Sequence, residues 1–208
     1  MNTRRPTAPI PPHLIERFYQ VAWDIASDGE YVHQWPELRQ AGRVHMARRH
    51  ALCCLWLTAC AMRFSELRRL RVDDVSAAGM SAYITRSKGG LSGQIELSCK
   101  LISLTFDWRN QRTIELNSEW LIPTRTGQRL SINAFNRDAC GMMRSIFGIP
   151  LTSHCFRDTA CQMAIVQGAD VRVVQRLLGH QSAITTEHYL RKQEVNAFQL
   201  ALPFGGSL

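Results

Sequence analysis

No stretch of this 208-residue sequence is apolar for long enough to span a bilayer. The longest near-apolar run, Ala51–Met62, falls well short of the roughly 20 residues a membrane helix needs, so a buried helix is expected there instead. Nor does the chain open on a basic start followed by an apolar run, the pattern of a secretory leader. The seven cysteines, Cys53, Cys54, Cys60, Cys99, Cys140, Cys155 and Cys161, are odd in number and show no paired CxxC spacing. That argues against a zinc site and against a disulfide framework. Most are expected to be reduced, buried, small hydrophobes of a cytoplasmic protein with no membrane partner. Internal repeats, low-complexity linkers and carboxylate clusters at metal-ligand spacing are also lacking, so a repeat array, a second domain and a metal or other cofactor are not expected.

What is present is positive charge: 25 Lys and Arg stand against 17 Asp and Glu, a net charge of +8. Such a surface suits a polyanionic partner, of which nucleic acid is the commonest. With 45% apolar residues, the length suffices for one domain with a sizeable core.

Residues 1–9, with Arg4, Arg5, Pro6 and Pro9, read as a mobile basic arm. Pro11 and Pro12 suit the first turn of a helix in which Leu14, Ile15, Phe18, Val21, Ala22 and Ile25 recur at helical spacing. Ala26–Gln40, with Gly29 and Pro36, reads as a connection. Helix resumes from Val44 and ends near Arg63, a charge at the end of an apolar run that requires an anion, a carboxylate or solvent. Glu66, three residues on, is the local salt-bridge partner. Period-two patterning then predicts strands at Leu70–Val75, Ala82–Thr85 and Gln94–Ser98, with turns at Ala77–Gly79 and Lys88–Gly93, together a small antiparallel sheet. A helix over Leu101–Arg112 carries Trp108 as its anchor. Another begins with Ser131 or Asn133 as cap and runs to Phe147, with Gly148 as its stop.

The densest chemistry lies in Leu151–Tyr189. Thr152 or Ser153 can cap a helix that closes at Gly168, which places His154 and Arg157 one turn apart on one face. A second helix starts after Asp170, buries Val174, Leu177 and Leu178, and stops at Gly179, just before His180. A third, capped by Thr185 or Thr186, carries Tyr189 in its first turns. Two histidines, an arginine and a tyrosine arranged in this way suggest a phosphate site.

The ordered set ACAMRFSEL, RSKGG, WLIPTRTGQRLSINAF and SHCFRDT…QGAD…VQRLLGHQS…TTEHY resembles the tyrosine recombinases, also called the phage integrase family, from about Pro11 to Lys192. The resemblance implies a mainly α fold with a small antiparallel β-sheet, that of the tyrosine recombinase catalytic domain, over residues 11–192. Residues 1–10 form a flexible arm in this scheme, and 193–208 form a tail that either packs on its own domain or is exchanged between protomers. The resemblance also implies roles. Arg63 and Arg157 grip the scissile phosphate, a task suited to the planar guanidinium fork. Lys88 protonates the departing 5′ oxygen, His154 assists proton transfer or holds the phosphate, and His180 donates a further hydrogen bond. Tyr189 is the nucleophile that forms a 3′-phosphotyrosyl link. Implied partners are double-stranded DNA and further copies of the chain, two or four on DNA, with room for an accessory DNA-bending protein.

Three departures from the family pattern stand out. Ala61 replaces the glycine usual before the first arginine, and Asp158 stands where many members have a histidine. The chain is also expected to lack the N-terminal helical domain that clamps the far face of DNA, as in the compact phase-variation invertases. Two alternatives remain open at this level: a noncatalytic DNA-binding regulator or accessory protein of the same fold, and a type IB topoisomerase-like activity.

Overall fold

The chain is centred on α2 (Ala41–Ala59) of a computed structural model that describes residues 8–27, 41–87, 90–110 and 118–178. Every residue from Ala51 to Thr58 is buried. A helix that is apolar all round is stable only when surrounded, and α1 (Pro12–Ser27), α4 (Cys99–Asn110), α7 (Ser153–Val166) and a π-helical segment at Phe135–Ala139 pack about it. Trp56 meets this environment with its one polar atom satisfied, Nε1 donating to Thr105 Oγ1 at 2.9 Å.

Helix α1 buries the expected stripe of Ile15, Phe18, Val21, Ala22 and Ile25, together with Tyr19 and Ala26. Its final carbonyls are taken by Arg48 of α2, whose Nε and Nη2 donate to Ala26 and Ser27 at 2.9 and 2.8 Å. Ile10, assigned from sequence to the flexible arm, is instead fully buried, and its N–H donates to Thr159 Oγ1 at 2.8 Å. An apolar side chain beside a spare hydroxyl acceptor draws it into the core. The rest of the expected connection (residues 28–40) lies outside the described residues.

The sheet has three antiparallel strands in the order β1 (Val75–Ser76), β2 (Ser81–Ile84), β3 (Gly93–Glu96). Val75 pairs with Ala82, and Ser81 with Glu96. The first strand is shorter than the expected Leu70–Val75 because Val72–Asp74 forms a 3-10 turn. Asp74 Oδ2 accepts the Arg71 N–H at 2.8 Å, a local bond that competes with the ladder. Leu70 and Val72 pair instead with Leu121 and Glu119, through Leu121 N–H to Leu70 O (2.8 Å) and Val72 N–H to Glu119 O (2.9 Å).

Helix α4 begins two residues earlier than expected and buries Trp108. Ser131 caps the next helix, accepting Ala134 N–H at 3.0 Å. That helix runs from α5 (Ile132–Ala134) through the π segment into α6 (Cys140–Phe147), and it stops at Gly148 with φ of 66°. Rings of Phe18, Phe156, Phe135 and Phe64 meet in series, tilted, edge to face and stacked in turn, with centroid spacings of 5.6, 6.3 and 4.4 Å, and join α1, α7, the π segment and α3 (Phe64–Leu67). Six cysteines are buried and Cys99 is exposed. No helix among the described residues is long and apolar enough to cross a membrane.

Candidate functional site

The site is built where the chain leaves α2. Ala61 adopts a φ of 45°, a left-handed turn that an alanine enters only at a cost of roughly 1–2 kcal/mol. The turn brings Arg63 to the N-terminus of α3. There the Arg63 N–H donates to Glu66 Oε2 at 2.8 Å and its Nη1 to Oε1 at 2.9 Å. The salt bridge anticipated from the i, i+3 spacing therefore forms, with the Arg63 side chain 24% exposed and that of Glu66 only 1%.

Glu66 gathers more than Arg63. Arg86 Nη1 approaches its Oε2 at 3.0 Å, with the arginine side chain 2% exposed. Ser87 donates both its N–H and its hydroxyl to Oε1, each at 3.2 Å. Burial pushes the Glu66 carboxyl upward. The Arg63 N–H, the Arg86 charge and the remaining hydrogen bonds outweigh that and hold it below the usual carboxylate range.

Arg157 arrives from the other end of the sequence. Thr152, one of the two expected caps, stands at the N-cap position of α7, but its hydroxyl lies against Cys155 Sγ at 3.4 Å, and the Ser153 N–H is taken by Asn136 Oδ1 at 3.2 Å, from the π segment. The Thr152 N–H meets Cys155 Sγ at 3.2 Å. Within α7, His154 lies exposed on the first turn and Arg157 is buried one turn deeper. Arg157 Nη1 donates to Ala61 O at 2.6 Å and Nη2 to Leu178 O at 2.8 Å, while Nη1 stands 3.9 Å from Glu66 Oε2. Leu178 ends α8 (Val171–Leu178). The turn into α8 is set by Gly168, with φ of 80°, and by Asp170, whose Oδ1 accepts the Arg172 N–H at 2.7 Å.

Of the six residues singled out from sequence, the structure brings Arg63 and Arg157 to one carboxylate and sets His154 on the helix that carries Arg157. Lys88, His180 and Tyr189 lie outside the described residues, as do Thr185, Thr186 and the 193–208 tail. Ser87, which precedes Lys88 in sequence, is bonded to Glu66. Leu178, two positions before His180, is bonded to Arg157. Arg86 and Ser87 were missed by sequence reasoning. A signal for Arg86 existed: Ala82, Ile84 and Arg86 are alternate residues and all three are buried, so strand parity carries Arg86 to the inner face.

Residues 32–195 match the model of the phage integrase family. The chain belongs to that family. Among curated relatives, the Sinorhizobium fredii protein y4qK is 34% identical over 142 residues, 65% of this chain and 44% of the relative. The tyrosine recombinase XerA of Pyrococcus furiosus is 28% identical over 153 residues, 69% of this chain and 50% of the relative. This phage integrase family chain thus spans about half the length of the curated relatives it matches. Among solved structures, a XerA recombinase superposes with a TM-score of 0.65 at 19% identity over 92% of this chain and 62% of that one. A lambda integrase dimer bound to a COC′ core site does so with 0.63 at 16% over 94% and 51%. The fold is that of the tyrosine recombinase catalytic domain: mainly helical with a small antiparallel sheet.

Proposed function

We propose that this chain cleaves and rejoins double-stranded DNA, with Tyr189 attacking a phosphodiester to form a 3′-phosphotyrosyl link. The observation that carries the proposal is the convergence of Arg63 and Arg157, from opposite ends of the sequence, on Glu66. Two permanently charged forks at one place suit the non-bridging oxygens of a phosphate, and they stabilise the extra negative charge of a pentacovalent transition state. His154, exposed one turn from Arg157, is available to a phosphate held by that arginine or to a proton moving at the nucleophile.

In this reading Lys88 protonates the departing 5′ oxygen and His180 donates to the same phosphate. Tyrosine ionises near pH 10, so the neighbouring cations favour its phenolate. One phosphodiester is exchanged for another, and a 5′ hydroxyl reverses the step without a nucleotide cofactor. The DNA complexes seen for lambda integrase and for XerH on its difH substrate support double-stranded DNA as the partner, with several copies of the chain assembled on it.

The test is a pool of nicked duplexes with a randomised core, incubated with the protein and trapped in detergent. The native chain should give a covalent protein–DNA adduct that Tyr189→Phe does not. An adduct that survives in that variant removes Tyr189 as nucleophile. Selective binding with no adduct from any duplex points to a noncatalytic DNA-binding role.

A further inference from the structure

Three guanidinium groups converge on one carboxylate, and they are not equivalent. Arg86 is the innermost: its side chain is 2% exposed, it faces a Glu66 side chain that is 1% exposed, and the two are 3.0 Å apart. Arg63 is 24% exposed and binds the other carboxylate oxygen. Arg157 stands at 3.9 Å, with its shorter hydrogen bonds given to two backbone carbonyls. Glu66 fixes Arg63 through both its main-chain N–H and its guanidinium. A lone carboxylate in that place would also cancel half the positive charge that Arg63 and Arg157 bring to an anion. Arg86 is placed to prevent this, because a buried charge needs a buried counter-charge.

We propose that Arg86 is a positioning residue that acts as a counter-ion of Glu66, so that Glu66 holds Arg63 in place while Arg63 and Arg157 together keep two uncancelled positive charges for an oxyanion. Arg86 itself, buried behind the carboxylate, is not proposed to touch that anion. The same ion pair anchors the hairpin at its β2 end, since Ser87 donates twice to Glu66 and the Arg86 N–H donates to Ser92 Oγ across the loop at 2.9 Å. Without Arg86 the local sum falls by one charge, and Glu66 draws Arg63 and Arg157 onto itself. Anion affinity and cleavage rate should each fall about tenfold or more, the order expected for one unit charge at such a distance in a partly screened site. The DNA arm of this inference rests on the function proposed above; the anion arm does not.

Two readouts separate these cases. The first is the gain in melting temperature when chloride is replaced by inorganic phosphate at constant ionic strength, with the part lost in Arg63→Ala taken as the share of this site. The second is the rate of adduct formation on the duplex selected from the randomised pool. Arg86→Met should lose most of the phosphate-specific gain and slow the adduct, whereas Arg86→Met combined with Glu66→Gln should recover part of both, because the competing charge is gone while the amide oxygen still accepts from Arg63. A structural role alone predicts the reverse, with the double variant no better than the single one.

An unchanged phosphate gain in folded Arg86→Met overturns the proposal, as does a double variant that recovers nothing or a native chain with no Arg63-dependent gain. If Arg86→Met does not fold, the double variant alone still decides: it must keep an Arg63-dependent phosphate gain, and the absence of one overturns the proposal. If the native chain forms no adduct while the phosphate pattern holds, the reading as a DNA-cleaving enzyme fails and the counter-ion role of Arg86 stands.

Discussion

Arg157 donates to the main-chain carbonyl of Ala61, ninety-six positions earlier in the sequence, at 2.6 Å. The bond crosses between the first and last segments of the site, and it is made by the residue whose side chain would also hold a phosphate. Structure and proposed chemistry therefore share one guanidinium, and the two arginines should respond differently to removal.

Arg63→Ala and Arg157→Ala are both expected to slow cleavage about 10²-fold or more, the usual effect of losing one transition-state donor. Only Arg157→Ala should also destabilise the fold substantially, by about 3 kcal/mol, because it orphans the buried carbonyls of Ala61 and Leu178. For a chain of this size that is a fall of roughly 10 °C in melting temperature. Equal melting points for the two variants would remove the structural half of the Arg157 role.

Ala61 sits at a φ of 45° with no exposed surface, packed against Ala160, Cys161, Val174 and Leu178. Ala61→Gly relieves left-handed strain of roughly 1–2 kcal/mol but gives up a buried methyl and adds chain entropy, each costing about 1 kcal/mol, so that gain and losses nearly balance. Its stability should thus stay within about 1 kcal/mol of native. Ala61→Val adds β-branching where the backbone resists it and bulk where there is no room, and it should cost more than about 2 kcal/mol. Urea denaturation of the pair checks this; a valine variant as stable as the glycine one would contradict the conformation at Ala61.

His50 is buried on α2, with Nε2 3.3 Å from Arg49 Nη2. Burial first, and the Arg49 charge second, push its pKa from 6.5 down to about 3, against a smaller opposing pull from Asp138. Between those values the unfolded chain carries a proton that the folded chain refuses, so the contribution of His50 to stability is whole above about pH 6.5 and drains away as pH falls toward 3. The slope is about 1.4 kcal/mol per pH unit where one proton separates the states. His50→Gln keeps an acceptor for Arg49 and should flatten the profile between pH 6 and 5 by about that amount. An unaltered profile would place the acid sensitivity elsewhere.

Cys53, Cys60, Cys140 and Cys161 are pushed to about 12, each chiefly by burial, and Cys54 well above its ordinary value. Cys99 is exposed at the start of α4. A chromogenic disulfide should therefore titrate one thiol quickly in the native chain and none quickly in Cys99→Ser. Alkylation of that thiol should leave adduct formation intact. A fast second thiol would show that the core opens more readily than its packing implies.

Much of this was legible in the sequence because it is local. The stripe of α1, the caps at Ser131 and Asp170, the stops at Gly148 and Gly168, and the Arg63–Glu66 pair all follow from residues within one or two turns of each other. What was not legible depends on distant partners. Leu70–Val75 has strand-like alternation, but Asp74 closes a tight turn on Arg71 and the backbone finds residues 119 and 121 instead. The N–H that opens α7 is satisfied by Asn136, whose position depends on a π turn that no local pattern announces. Arg86 was not singled out at all, and only its strand parity with Ala82 and Ile84 signals that it points inward.

The grouping of Arg63, Glu66, Arg86 and Ser87 within one short stretch also sets an order of assembly. As the chain is made from its N-terminus, this stretch emerges while α7 and α8 do not yet exist, and it already contains both the carboxylate and its counter-ion. Arg157 joins last, through contacts that close a long loop and so form late in folding. The site therefore needs both segments of the chain at once, because α7, which carries Arg157, also packs on α2, and the proposed chemistry is tied to completion of the fold.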